Sequence, residues 1–171
     1  MNSEQKTNLV EDPCAHQDVV RSLVKRFCDT TLKKGISGLR EEFARLKDEA
    51  VPSADSLVAF HAHHKAMRNR YRDIPCVEES RVKLVEHPAE LDYIHANFVS
   101  TPFHERRFIC TQAPISTTCY DFWWMVLQEK SDVIVMLCNF YEDGRPKCAR
   151  YVPMEEQASI TFRDITITAT S

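Results

Sequence analysis

The spacing of apolar residues predicts helices in the first third of the chain. After Pro13, apolar side chains recur at i, i+1, i+4, i+5 and i+8, so they share one helix face, and basic residues occupy the other. That face consists of Val19, Val20, Leu23, Val24 and Phe27. Gly35 interrupts the pattern, and Ser37 provides an N-cap for a second helix that ends before Pro52. A third helix is predicted at about residues 57–67.

After residue 92 the pattern changes to short runs rich in β-branched and aromatic residues, which are typical of strands. The predicted strands are 93–99, 107–111, 133–138, 149–152, 159–162 and 165–170. The run at 133–138 is apolar throughout instead of alternating, which predicts a central strand buried on both faces. A helix at about 119–130 separates the second strand from the third. Helices followed by a twisted mixed β-sheet with an inserted helix indicate an α/β fold.

Composition and charge narrow the class of protein. The 171 residues, 43% of them hydrophobic, fit one domain. The formal net charge of -3 shows no basic excess, so nucleic acid and anionic membrane surfaces are not expected as partners. His61 and His64 lie one helical turn apart but have no cysteine or acidic companion, so no metal site is predicted.

The N-terminus and the cysteines predict a cytoplasmic protein. The first residues are polar and lead into no apolar segment of the kind found in secretory signals, and residues 1–14 are predicted to be a disordered tail. The seven cysteines are odd in number and scattered, with no Cys-x-x-Cys pair. This pattern favours reduced thiols over a disulfide framework or a zinc site.

Several segments in fixed order carry a family resemblance. They are NRYRDI at 69–74, SRVKL at 80–84, DYIHANFV at 92–99, FICTQAPI at 108–115, DFWWMV at 121–126, IVML at 134–137 and EDGRPKCARYVP at 142–153. Together they resemble the classical protein tyrosine phosphatases, and the preceding helices resemble the lead-in of nematode members. The resemblance implies that residues 15–171 are the N-terminal portion of such a domain, an incomplete phosphatase fold with the motif match from residue 69 onward.

The resemblance also implies roles for four residues. Tyr71 matches the aromatic residue that packs against the phosphotyrosine ring, and Asp73 matches the carboxylate that binds the substrate backbone. Glu142 and Lys147 match charged residues of a loop that supports the active site. Arg81, by contrast, is predicted to form a structural, buried ion pair.

The family's reaction uses a cysteine thiolate and an arginine six positions later, and it needs no cofactor. None of the seven cysteines has an arginine at that position, and no Trp-Pro-Asp general-acid segment is present. The chain has three glycines, too few for the phosphate cradle. We therefore predict no catalytic residue within these 171 residues and an inactive chain.

Three matched positions depart from the family pattern. His95 replaces an asparagine, Ala113 a glycine and Val152 a tryptophan. If position 113 needs a positive φ, alanine would cost about 1 kcal/mol there.

The sequence leaves three hypotheses open. The first is a fragment or truncated isoform of a phosphatase, whose partners are phosphotyrosine proteins once the domain is complete. The second is a non-catalytic, pseudophosphatase-like interaction module, and the third a decayed gene product.

Overall fold

The computed structural model describes residues 13–49 and 52–170, and the chain divides into two units, Met1–Val51 and Pro52–Ser171. The predicted tail lies outside the described residues up to residue 12. In the first unit, α1 spans Pro13–Glu49 and is broken at Gly35, where φ is 62°. This angle is in the left-handed region that favours glycine, so the predicted interruption is confirmed. No helix among the described residues is long and apolar enough to cross a membrane.

The predicted helix at 57–67 is shorter than expected. A 3-10 turn at Asp55–Leu57 leads into α2, which spans Val58–Ala62 and buries Phe60. Beyond α2 the N–H groups of His64 and Met67 bond carbonyls three residues earlier, which tightens the chain into turns.

The strands of the second unit form three antiparallel sheets. β1 (Arg81–Lys83), β2 (Tyr93–Thr101) and β3 (His104–Thr111) make a three-stranded sheet in the order β1-β2-β3. Two hairpins follow, β4 with β5 (Tyr141–Glu142 and Arg145–Pro146) and β6 with β7 (Ser159–Phe162 and Ile165–Thr168). The α/β class is confirmed, but every pairing among the described residues is antiparallel, so the mixed sheet is not formed there.

Two hydrophobic clusters hold this unit together. α3, which spans Cys119–Gln128, packs on the sheet through Phe122 and Met125, which are buried with residues of β1 and β2. A second cluster joins Phe60, Cys76 and Tyr93. Arg81 is buried beside them, and its Nε and Nη2 donate to Glu78 Oε2 at 2.9 Å and Asp92 Oδ2 at 2.7 Å. The predicted structural ion pair of Arg81 is therefore confirmed.

Two predicted strands are wrong. Residues 133–138 form no strand, and Val133, Val135 and Leu137 are 74%, 73% and 93% exposed. A strand needs a neighbouring backbone about 4.8 Å away, and none of the described residues supplies one. Residues 149–152 also form no ladder, because Ala149 N–H bonds the Pro114 carbonyl and the Tyr151 carbonyl bonds the Trp123 indole.

Candidate functional site

A cleft of about 550 Å³ brings together distant segments of the second unit. Its walls come from four residues of the segment 70–75 (Arg70, Tyr71, Ile74 and Pro75), the end of β3 with the loop that follows it, residues 134–138, and the region of the β4–β5 hairpin. Three of the four predicted site residues, Tyr71, Glu142 and Lys147, line it.

Tyr71 and Lys147 face each other in this cleft. The Tyr71 side chain is 45% exposed, and Lys147 Nζ lies 5.9 Å from the centre of its ring. This distance is at the outer limit of a cation–π contact. The pair therefore places an aromatic face and a positive charge side by side, which suits an aromatic anion.

Asp73 lies on the same loop as Tyr71 but outside the cleft lining. Its side chain is exposed to solvent, and no hydrogen bond from it to another described residue is present. The structure thus brings Tyr71 to the cleft and leaves Asp73 on the adjacent surface, exposed to solvent.

Glu142 ends the first strand of the β4–β5 hairpin. Its Oε1 accepts the N–H of Asn139 at 3.0 Å. The two turn residues, Asp143 and Gly144, have φ of 49° and 72°, the combination of a type I′ hairpin turn. This hairpin fixes the carboxylate of Glu142 beside the cleft.

Arg70 holds residues 69–74, the Tyr71 loop, in place. The sequence did not predict this role. Its Nε donates to the Ala113 carbonyl at 2.9 Å and its Nη2 to the Pro114 carbonyl at 2.7 Å. Its backbone N–H donates to Gln112 Oε1 at 2.8 Å. The partners are 42 to 44 residues away in sequence, so no local pattern could have indicated them.

The two substituted positions near the cleft fit their surroundings. His95 is buried, and its Nε2 lies 3.0 Å from the Ile74 carbonyl, so it ties β2 to the Tyr71 loop. Ala113 does not have a positive φ, and it packs against the main hydrophobic cluster. The strain predicted for a positive φ at this position therefore does not arise.

Two buried cysteines, Cys148 of the cleft lining and Cys119 of the core, are not set up as nucleophiles by their surroundings. Burial raises the pKa of the Cys148 thiol to about 11, so it is protonated at neutral pH. Burial also raises the pKa of Cys119, which lies in the core at the start of α3. Both behave as small hydrophobic residues.

We expect Arg70→Leu to destabilise the unit by about 2 kcal/mol, because it removes two charge-assisted hydrogen bonds and takes the Arg70 donor from the Ala113 carbonyl, whereas the Pro114 carbonyl keeps the Ala149 N–H. Urea denaturation gives the free energy, and hydrogen exchange should show faster amides at 70–74. Arg72→Leu is the matched control, since Arg72 is exposed on the same loop. Equal effects of the two substitutions would contradict the role assigned to Arg70.

Comparison with known proteins gives a consistent set of matches. The family model described as protein-tyrosine phosphatase matches residues 65–171. "Tyrosine-protein phosphatase non-receptor type 9" of Mus musculus is 35% identical over 164 residues, which is 93% of this chain and 26% of that protein. "Tyrosine phosphatase-like protein J1" of Microplitis demolitor bracovirus is 39% identical over 127 residues, 71% of this chain and 42% of that protein.

A "Receptor-type tyrosine-protein phosphatase" of Caenorhabditis elegans is 41% identical over 101 residues, 58% of this chain and 7% of that protein. The chain therefore spans less than half the length of each of these relatives, and about a quarter of the mammalian one.

Proposed function

Because the chain belongs to the protein-tyrosine phosphatase family, we propose that its second unit is the substrate-recognition side of a tyrosine-phosphatase domain. In this proposal Tyr71 packs against the phosphotyrosine ring and Asp73 binds the backbone of the substrate peptide. Glu142 and Lys147 form the supporting hairpin. The observation that carries the proposal is the half-exposed Tyr71 ring in a cleft, with Lys147 Nζ 5.9 Å from its centre.

The partners follow from the family. Its members act on phosphotyrosine proteins, so phosphotyrosine peptides are the class of ligand to test on this chain. Relatives matched over more than half of the chain include proteins named as non-receptor phosphatases, which supports the cytoplasm as the proposed location.

The affinity of this recognition side alone should be low. Stacking of one aromatic pair contributes about 0.5–1.5 kcal/mol, whereas micromolar binding requires about 8 kcal/mol. The backbone cradle that would hold the phosphate in this family needs the Cys-x5-Arg segment, and the 171 residues contain no such segment. We therefore expect a dissociation constant weaker than about 1 mM for phosphotyrosine.

An NMR titration with free phosphotyrosine tests this recognition. At tens of millimolar ligand the amides of residues 70–74 and of Lys147 should shift, and Tyr71→Ala should abolish these shifts. Tyr141→Ala is the control, because Tyr141 is 67% exposed and lies outside the cleft lining. The recognition role is wrong if the cleft amides do not respond. Low-micromolar binding that depends on Tyr71 would contradict the energetic argument.

A turnover assay tests the chemistry separately. With a small aryl phosphate, the purified 171-residue chain should release phosphate no faster than a buffer blank, because no cysteine is followed by the required arginine. Turnover that vanadate inhibits would show that the nucleophile has been misidentified.

A further inference from the structure

A second pocket, of about 360 Å³, lies at the start of α3 beside the turn of the β6–β7 hairpin. Polar side chains predominate in its lining, among them Arg68, His87, Tyr120, Asp121 and Arg163. No residue of β3 or of the segment 133–138 lines it, so it is separate from the unpaired strand edges of this unit.

Three buried polar atoms at this pocket have no hydrogen-bond partner among the described residues, namely Arg68 Nε, His87 Nε2 and the hydroxyl oxygen of Tyr120. Native structures satisfy nearly all buried polar groups, because an unpaired one is costly. Within the part of the chain that the structure describes, these three are the only buried side-chain nitrogen and oxygen atoms without a partner. Their convergence on one pocket indicates a ligand.

His87 is the most deeply buried of these groups. Its side chain is 1% exposed, and its ring lies edge-on to the rings of Tyr120 and Trp124, which hold its orientation. Its Nδ1 accepts the Ala89 N–H, so Nε2 carries the ring hydrogen. Asp121 Oδ1 is 2.9 Å from Nε2, but the two form no aligned hydrogen bond. The Nε2–H group is therefore a buried donor that still requires an acceptor.

All three unpaired groups can donate a hydrogen bond. Arg68 Nε–H and the protonated Nε2 of His87 have no acceptor capacity. Burial, followed by the nearby Asp164 carboxylate, raises the pKa of Tyr120, so its hydroxyl keeps its proton at neutral pH. A ligand that satisfies the three groups together must present several acceptor oxygens.

The charges around the pocket favour an anion. The Asp121 carboxylate is paired with Arg68. Arg163 is exposed and forms no salt bridge with a described residue, and its guanidinium carbon lies 4.7 Å from the centre of the Tyr120 ring. Asp164 is next to it in the hairpin turn but does not line the pocket. The lining therefore has one unpaired positive charge beside three donors, which suits a phosphate-like oxyanion.

We propose that this pocket binds a small tetrahedral oxyanion of the phosphate class. Arg68, His87 and Tyr120 donate to its oxygens from the buried side, and Arg163 contributes positive charge from the exposed side. Water would supply acceptors but no charge to balance Arg163. The inference goes beyond phosphotyrosine recognition, since none of the residues assigned to that role lines this pocket.

An NMR titration of the 171-residue chain with sodium phosphate tests the site, with sodium chloride adjusted to hold the ionic strength constant. The amides of residues 116–121 and of Arg163, and the ring protons of His87, should shift with half-saturation below about 10 mM. Titration with glycerol phosphate then shows whether the site takes the free ion alone or also an esterified phosphate. Equal shifts with chloride alone, or no saturation by about 50 mM phosphate, would overturn the proposal.

Tyr120→Phe distinguishes a ligand site from an ordinary core position. It removes a hydroxyl that has no partner, so the ligand-free chain should be as resistant to urea as before, or more so. Phosphate affinity should nevertheless fall at least about fivefold. Tyr141→Phe is the matched control and should change neither quantity, because Tyr141 is 67% exposed and does not line the pocket. Unchanged phosphate affinity in Tyr120→Phe would contradict the proposal, whatever its stability.

The two residues of the hairpin turn provide opposite changes of charge. Arg163→Gln should weaken phosphate binding at least about fivefold, whereas Asp164→Asn should tighten it or leave it unchanged. Both residues are exposed, so the two variants are matched in position and solvent access. Equal losses of affinity in the two variants would be evidence against an anion site.

Tyr71→Ala separates this site from phosphotyrosine recognition. Tyr71 lines the cleft but not this pocket, so phosphate binding at residues 116–121 should stay within about twofold. The same variant should abolish the phosphotyrosine shifts at 70–74, so the two sites can fail independently. Loss of the phosphate shifts at 116–121 in Tyr71→Ala would place the anion in the cleft and overturn the proposal.

Discussion

Replacing Asp121 with alanine is expected to lower the free energy of unfolding by about 3–5 kcal/mol, because it leaves buried cationic and donor groups without their anion. Asp121 is 4% exposed in the first turn of α3 and forms a salt bridge with Arg68. Its other oxygen lies 2.9 Å from His87 Nε2. The Nδ1 of His87 accepts the Ala89 N–H, so Nε2 carries the ring hydrogen; it is close to the carboxylate but makes no aligned hydrogen bond with any described residue.

The effect should reach the cleft. Arg68 stands directly before the segment 69–74, and its partner Asp121 is 53 residues away in α3, so the pair fastens the Tyr71 loop to the core. Hydrogen exchange of Asp121→Ala should therefore show faster amides at 69–74 as well as lower global stability. Asp121→Asn keeps an oxygen acceptor and should cost less than Asp121→Ala.

Urea denaturation followed by fluorescence of Trp123 and Trp124, both in α3, measures the change. Asp132→Ala is the control, because Asp132 is exposed and its removal should cost less than about 0.5 kcal/mol. If Asp121→Ala resembles this control, the ion pair with Arg68 does not stabilise the fold.

Replacing Tyr93 with alanine is expected to cost a similar amount, about 3–5 kcal/mol, through loss of buried aromatic surface and the cavity it leaves. Tyr93 is 0% exposed at the start of β2, and the His63 ring stacks on it at 4.2 Å between ring centres with planes 7° apart. Its hydroxyl donates to Asn69 Oδ1 at 2.6 Å, and the Asn69 amide donates to the Phe60 carbonyl. The ring therefore joins β2, α2 and the first residue of the Tyr71 loop.

Tyr93→Phe separates the two contributions. It keeps the ring but removes the hydroxyl, so it should cost about 1–2 kcal/mol for the unpaired Asn69 carbonyl. Tyr141→Ala is the control for removing a tyrosine ring, since Tyr141 is 67% exposed and should matter little. Thermal or urea unfolding of the three variants should rank Tyr93→Ala, Tyr93→Phe and Tyr141→Ala in decreasing cost, and any other order would contradict this assignment of the core.

Local signals in the sequence were sufficient for much of the fold. The break at Gly35, the helix that became α3 and the strands β2, β3, β6 and β7 all follow from residue type and spacing over a few positions. The helix predicted at 57–67 is longer than the observed α2, because its apolar pattern continues into residues where the chain tightens into turns. The α/β class and the family follow from the same local segments and their order.

Contacts between residues far apart in sequence determine which side chains form the candidate site. Tyr71, Glu142 and Lys147 were named from their motifs, but only the folded chain shows that they line one cleft and that Asp73 lies outside its lining. Arg70 was missed because its acceptors are carbonyls more than 40 residues away. Every residue has a backbone carbonyl, so residue type does not show which carbonyl accepts the hydrogen bond.

The sequence by itself determined the family, the local elements and the absence of a cysteine followed six positions later by arginine, because each is a property of short stretches of residues. Only the tertiary structure decided which predicted strands pair. Residues 133–138 have the composition of a central strand, but a strand is completed by hydrogen bonds to neighbouring backbones, and none of the described residues provides them. Strand pairing depends on two segments, and the sequence of one segment does not identify the segment with which it pairs.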